Sequence, residues 1–223
     1  MTNLPNNTNK ITAVLPCRKG STRLGFDKQL SNFAGTTLLD IKVNHLLESK
    51  YITDIILSTD DPNILNRYNH KKIKAYKRRP EHMVSTDSWT DMCLEYISEG
   101  DILITMCTLP FFTEYDKAIE KYKTEDCDSL LTGRGIQSYV WNPEVKKMIN
   151  YDRSVEKWPK SQELPIWYEV DCAVYMISYE NMKKYHDKMG VKPYFYATNY
   201  LNSIDIDYKE EWDIAEKLWK ALN

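Results

Sequence analysis

Histidine is rare in this chain, with four in 223 residues, and the four show no H-x-x-x-H spacing. That gives no basis for a zinc site on a helix face. There is no C-x-x-C among the five cysteines, Cys17, Cys93, Cys107, Cys127 and Cys172. An odd count, with several of them in apolar runs, reads as reduced, buried thiols in a cytoplasmic protein rather than a disulfide framework. Glycine is also sparse, at seven, and neither G-x-G-x-x-G nor a helix-opening GK[ST] occurs. A Rossmann dinucleotide site and a Walker A loop are therefore not expected. No run approaches ~20 apolar residues, so no transmembrane helix is expected. The polar opening MTNLPNNTNK lacks the apolar core of a signal peptide. Charge of one sign is missing too: 30 Lys and Arg stand against 32 Asp and Glu, for a net charge of −2. No basic footprint points to nucleic acid. The one basic run, HKKIKAYKRRP (70–80), reads equally as a phosphate-facing strip or a solvated face.

What is present fits one α/β domain. Residues 1–9 read as a flexible leader, and 10–223 as a single domain. ITAVLP (11–16), DIILST (54–59), KIKAY (72–76), DILITMC (101–107) and SLLTG (129–133) read as strands. Between them, 36–49, 60–68, 85–98 and 114–125 carry helical spacing or helix-start residues. This alternation predicts a mostly parallel sheet with helices on both faces. The pattern loosens over 134–169, which holds Trp141, Trp158 and Trp167 and reads as an inserted arm of short strands and loops. Strands at 172–178, 193–198 and 202–207 and helices at 179–189 and 208–222 complete the chain.

Two segments carry chemistry. The loop after the first strand, CRKGSTRLGFDKQL, concentrates Arg18, Lys19, Gly20, Ser21, Thr22, Arg23, Gly25 and Lys28. Its glycines let backbone approach an anion, its hydroxyls donate, and its cations neutralise phosphate, with arginine binding in a fork. Near the end, SIDID alternates isoleucine with aspartate. In an extended segment Asp205 and Asp207 share a face, roughly 6–7 Å apart. Two such carboxylates suit a hard cation such as Mg²⁺. They also fit an exposed polar edge before a helix.

Together these segments resemble the acylneuraminate cytidylyltransferase family and its relatives the CMP-Kdo synthetases. The family's opening loop, PAR-x-GS-x-R-x-P-x-KN, is similar to LPCRKGSTRLGFDKQL, which keeps Arg18, Gly20, Ser21, Arg23 and Lys28. Further collinear likenesses are IILSTDDPNIL (55–65), RRPEHMVSTDSW (78–89), DCAVYMIS (171–178) and SIDIDYKEEWDIAE (203–216). The resemblance implies a Rossmann-like nucleotide-diphospho-sugar transferase fold, with the arm around 134–169 as a dimerisation element. It implies transfer of CMP from CTP to a sugar acid or related acceptor, with Mg²⁺ bound and pyrophosphate released. It places Arg18, Gly20, Ser21, Thr22, Arg23 and Lys28 on the phosphates and Arg79 near the base or ribose. Asp205 and Asp207 would bind the metal and, with Lys28 and Arg18, carry catalysis. It also implies a cytoplasmic homodimer.

The acceptor end departs from the pattern. QPTSPLR is replaced by MCTLPFFT (106–113), so the family's glutamine and arginine become Met106 and Phe112. A basic residue before the GA-x-Y strand becomes Glu169. An acceptor other than an anionic sugar acid, a phosphate or phosphonate acceptor, or a non-catalytic nucleotide-binding role all stay open. Arg134, Gln137, Tyr139, Trp167, Tyr168 and Asp171 are candidates to line the acceptor site.

Overall fold

A computed structural model describes residues 10–20, 23–83 and 88–223. The leader at 1–9, Ser21 and Thr22, and the expected helix start at 85–87 lie outside the described residues. In chain order the elements are β1 (Ile11–Cys17), α1 (Leu38–Glu48), β2 (Asp54–Thr59), α2 (Pro62–Leu65), β3 (Ile73–Lys77), α3 (Ser88–Tyr96), β4 (Asp101–Ile104) and α4 (Tyr115–Thr124). Then come β5 (Ser129–Ile136), the two-residue strands β6 (Trp141–Asn142) and β7 (Lys147–Met148), β8 (Trp167–Ser178), α5 (Tyr179–Tyr185), β9 (Pro193–Thr198) and α6 (Lys209–Leu222).

Seven strands form one sheet in the order β3-β2-β1-β4-β8-β5-β9. β8 alone runs against its neighbours, β4 and β5, and every other pairing is parallel. The sheet is covered on both faces, as parallel strands require. Successive side chains point to opposite faces, and the two cores divide accordingly. Ile11, Ala13 and Leu15 of β1 join a cluster with Leu38, Leu39, Ala118, Ile119, Trp212 and Ala215, so α1, α4 and α6 cover that face. Val14, Ile56, Ile102 and Tyr175 join Met92, Cys93 and Met182, so α3 and α5 cover the other. α1 starts where Thr37 accepts from the Asp40 N–H at 3.0 Å. A cap of this kind contributes ~1 kcal/mol.

Several boundaries differ from the sequence reading; the strand expected over 101–107 ends at Ile104, and of 60–68 only Pro62–Leu65 is helix. The segment 202–207 is not a strand: Asn202 and Ser203 belong to a turn, 204–207 carry no regular structure, and the Ile206 N–H donates to the Thr108 carbonyl, in the loop after β4, at 2.9 Å. The helix expected over 179–189 stops at Tyr185 because His186 adopts the left-handed region, φ 53°. The arm is not mostly loop at its base. β5 and β8 run on past the sheet and pair as far as Ile136 and Trp167, with a register shift between Leu131 and Gly133. At that shift β5, β8 and β9 press together: a Cβ on Gly133 would lie 2.4 Å from Phe195 and 2.6 Å from the Glu169 carbonyl.

Candidate functional site

Every chemically loaded loop leaves the sheet at one edge, the carboxyl ends of the parallel strands, where open α/β sheets bind ligands. Arg18, Lys19 and Gly20 follow β1, Asp60 and Asp61 follow β2, Arg78 follows β3 and residues 105–113 follow β4. The segment 199–207 returns to this edge after β9.

The centre of the cluster is Asp207. Its Oδ1 lies 3.0 Å from the Lys28 ammonium and its Oδ2 2.7 Å from the Arg23 guanidinium. Lys28 also donates to the Ile206 carbonyl at 2.9 Å. Arg23 sits 5.6 Å over the Tyr208 ring. Glu211, the third residue of α6, accepts from the N–H groups of Asp207 and Tyr208 at 2.7 and 2.9 Å. That fixes how the chain enters the helix, and it holds Asp207 at a helix N-terminus, where negative charge is favoured. Three of the residues expected to act together, Arg23, Lys28 and Asp207, are therefore joined across more than 170 positions of sequence.

Asp205 stands beside them in a different state. Its Oδ1 is buried and has no hydrogen-bond partner among the described residues. Burial pushes its carboxyl above the usual carboxylate range; Asp207 and Glu211 push the same way, while the Thr108 hydroxyl and Lys28 oppose. A buried acceptor without a donor calls for an explanation. A divalent cation supplies one, since Mg²⁺ is commonly held by one or two carboxylates, with water and phosphate oxygens completing its shell. No group of three or more His, Cys, Asp and Glu gathers among the described residues. The donor set on offer is thus the Asp205–Asp207 pair, and it fits Mg²⁺.

At the other end of the loop, Gly20 and Gly25 both take φ +73° with open space around them. Their conformation, not a lack of room, is what calls for glycine there. Arg18 is exposed, and the Lys19 N–H donates to Asp60 at 2.6 Å. Arg79 turns outward to Glu95, at 2.8 Å, and Glu81. The buried arginine is its neighbour Arg78, which donates to the His82 carbonyl. Burial lowers the Arg78 pKa and Arg18 presses it the same way, while Asp60 opposes. Arg78 therefore lies near Arg18, whereas the resemblance had singled out Arg79, near the base or ribose. Parity was the missed signal: Arg78 continues β3 on the same face as the half-buried Tyr76, and its N–H extends the ladder to the Thr59 carbonyl at 2.7 Å.

The candidate acceptor residues are dispersed. Both oxygens of Asp171 are engaged internally, Oδ1 by the Thr132 hydroxyl at 2.6 Å and the Ala173 N–H at 3.0 Å, Oδ2 by the Thr198 hydroxyl at 2.5 Å. Asp171 knots β5, β8 and β9 at the register shift. Gln137 donates to the carbonyls of Gln162 and Leu164 and ties the arm together. Tyr139 donates to the Pro159 carbonyl at 2.6 Å within the arm. Trp167 and Tyr168 are exposed, Tyr168 packing on Phe195 at 4.7 Å. Arg134 pairs with Glu169 at 2.6 Å. Phe112 is fully buried, its carbonyl bound by Lys42, so the residue replacing the family's arginine has become core.

A mixed seven-stranded sheet with a cationic loop after β1 and an acid pair at the same edge defines an α/β nucleotidyltransferase. The chain belongs to the cytidylyltransferase family, whose model matches residues 12–221, and it is accordingly a CTP-dependent nucleotidyltransferase. No curated protein matches it in sequence. Among solved structures it is similar to CMP:2-keto-3-deoxy-manno-octonic acid synthetase complexed with CTP, at TM-score 0.69 and 14% identity over 96% of this chain and 100% of that one. It is similar to 4-diphosphocytidyl-2C-methyl-D-erythritol synthase from Anaerococcus prevotii, at 0.67 and 17% over 96% and 100%. HddC from Yersinia pseudotuberculosis matches at 0.57 and 14% over 93% and 99%. At these identities the likeness establishes the fold.

Proposed function

We propose that the enzyme transfers CMP from CTP to a small hydroxylated acceptor, a sugar acid or a related compound, with release of pyrophosphate. The observation that carries this reading is the junction of Lys28, Arg23 and Asp207 beside the orphaned Asp205 oxygen, in a chain of this family. Without ligand, the two cations neutralise Asp207. With a triphosphate in the loop they exchange a carboxylate for phosphate oxygens of like charge, so re-partnering costs little. Asp207 is then free to join Asp205 on Mg²⁺. The bound cation would neutralise charge at the α-phosphate. Lys28, Arg23 and Arg18 hold the leaving pyrophosphate, and the fold fixes the line of attack. Gly20, Ser21 and Thr22 belong to the same phosphate loop, and Arg79 stands at the rim beside Arg78. Gln137, Tyr168 and Asp171 shape the acceptor side through the arm and the β8 bulge.

The likeness to a 4-diphosphocytidyl-2C-methyl-D-erythritol synthase supports a second reading of the acceptor, a phosphate-bearing polyol. Both readings share the nucleotide end. The test is thermal stabilisation by CTP, UTP, ATP and GTP with and without Mg²⁺, which needs no known acceptor. A CTP-selective shift enhanced by Mg²⁺ is expected, followed by acceptor-dependent pyrophosphate release. Equal or absent shifts would leave the loop without its assigned ligand. Lys28→Met is expected to weaken CTP by about ten- to a hundredfold, the usual worth of a charge-assisted hydrogen bond. An unchanged CTP titration would remove Lys28 from nucleotide contact.

The arm leaves Trp141, Trp158, Ile166, Trp167 and Tyr168 exposed, Trp158 by 59%. Aromatic residues of this kind are enriched in protein interfaces, which supports a homodimer formed through the arm. Sedimentation is expected to give twice the chain mass for the native protein and the monomer for Trp158→Asp with Trp141→Asp. A native monomer would end this assignment. No helix among the described residues is long and apolar enough to cross a membrane, and the reading is of a cytoplasmic enzyme.

A further inference from the structure

The family's cations on the acceptor side are missing from their expected places, yet one ammonium group stands over the same edge from another element. Lys188 lies in the loop between α5 and β9, half-buried, its Nζ 5.2 Å from the Tyr175 ring centroid and 5.8 Å from that of Trp89. Trp89 opens α3 and Tyr175 is level with Ile104 at the end of β4, so the ammonium sits at the carboxyl edge of the sheet. No carboxylate of the described residues pairs with it within 4.0 Å.

The loop that presents it is built rather than loose. His186 turns the chain out of α5 with φ 53° and reaches Asp91 of α3 at 3.2 Å. Gly190 donates to the Ser129 hydroxyl at 2.8 Å, and the N–H groups of Val191 and Lys192 donate to the Asp128 carboxylate, each at 2.9 Å. Asp128 fits so closely that a Cβ on Gly190 would meet its carboxylate at 2.2 Å. Two aromatic faces and an anchored loop therefore hold the cation in place, which lowers the ordering cost of binding an anion there.

The position also relates to the metal pair. Cys172, one residue past the Asp171 knot, bonds to the Tyr175 hydroxyl at 3.0 Å between sulfur and oxygen. Its thiol feels both neighbours: Asp205 raises its pKa and Lys188 lowers it, with burial the largest effect. Cys172 and Tyr175 are thus joined to each other beside the ammonium.

We infer that Lys188 binds an anionic group of the acceptor, carboxylate or phosphate, while the acceptor's attacking hydroxyl lies over Cys172 toward Asp205. This rests on the cytidylyltransferase reading and narrows its acceptor to a hydroxylated anion. A single ammonium is a point charge and accepts either anion.

The test uses the full chain with saturating CTP and Mg²⁺, and titrates D-gluconate, glycerol 3-phosphate and neutral D-glucitol by calorimetry, in the native protein and in Lys188→Met. The expected result is that one or both anions bind and glucitol does not. Lys188→Met then weakens the bound anion about tenfold or more, as loss of a charge-assisted partner does. Gluconate alone would assign the site to a carbon acid and glycerol 3-phosphate alone to a phosphate ester. Anions binding no better than glucitol, or equally well to Lys188→Met, would overturn the inference. CTP stabilisation is expected to be the same in both proteins. Its absence in both would overturn the nucleotide reading itself and this inference with it. A CTP shift lost only in Lys188→Met would move Lys188 to the nucleotide and overturn the acceptor role.

Discussion

Asp205→Asn is expected to remove Mg²⁺-dependent turnover by about a hundredfold or more while leaving the ligand-free enzyme as heat-stable as the native one, or more so. The two halves of this result have one cause. The Asp205 carboxyl is raised by burial, which means that the fold disfavours its ionised form. A carboxyl raised in the folded state contributes stability below its unfolded pKa, and that contribution is lost as pH rises through the folded value. At neutral pH ionised Asp205 is therefore a cost, and its orphaned Oδ1 is where the cost sits. Asparagine keeps the shape and removes the charge. On the proposed reading a cation would relieve this cost, whereas both Asp171 oxygens are already satisfied by Thr132, Ala173 and Thr198. Differential scanning with CTP, with and without Mg²⁺, separates the roles. Asp205→Asn keeps the part of the CTP shift that needs no metal and loses the enhancement by Mg²⁺. Turnover within a few-fold of native would sink the metal assignment, and a large drop in melting temperature without ligand would mark Asp205 as structural.

Where a segment makes its own hydrogen-bond ladder inside the sheet, its sequence carried the answer. DIILST and PYFYAT match β2 and β9 at both ends, because strands, whether buried like β2 or at the sheet edge like β9, show as short β-branched or aromatic runs between polar breaks. The SIDID stretch misled in one respect. Alternation reports that one side is buried, and Ile206 is buried, but it says nothing of whether the backbone has a neighbour on both edges. Asp205 and Asp207 are nonetheless near enough for Asp207 to push the Asp205 carboxyl up. The opening of β8 was hidden for the opposite reason. Trp167, Tyr168, Glu169 and Val170 are all exposed, so a ribbon standing clear of the sheet carries no burial pattern to read.

The site was legible where one segment holds all its parts and obscure where side chains cross between segments. Arg23 and Lys28 sit in the loop that announced itself by composition. Arg78 needed the register of β3 to be told from Arg79, and one residue of phase reverses the face. Lys188 gave no local signal at all, because its meaning comes from Trp89 and Tyr175 on other elements. Lys42 was masked more thoroughly. It lies within the apolar helix face of α1, among Leu38, Leu39, Val43 and Leu46, where lysine is almost never fully buried.

That lysine carries the other large prediction: between pH 7 and 8.5, heat stability gains more with pH in the native enzyme than in Lys42→Met. The Lys42 ammonium is fully buried, donates to the carbonyls of Leu109 and Phe112 at 2.7 and 3.2 Å, and lies 5.2 Å from the Tyr115 ring centroid. No carboxylate pairs with it among the described residues, and burial holds its pKa down to about 7. Unfolded, it titrates near ~10.4. Between these values the unfolded chain binds a proton that the fold does not, so stability rises with pH over that window and levels off above it. From pH 7 to 8.5 the gain is roughly 1.5 kcal/mol. The thiols of Cys17, Cys93, Cys127 and Cys172 pull the other way, since each is raised by its surroundings in the fold and the unfolded chain ionises first. Their combined loss is of the same order by pH 8.5, so the native profile alone can look flat. The difference between native and Lys42→Met cancels the thiols and isolates the lysine. Parallel profiles would show that Lys42 keeps an ordinary pKa inside the core. The same group bears on turnover, because the turn it clamps carries Thr108, whose carbonyl takes the Ile206 N–H and whose hydroxyl acts on Asp205.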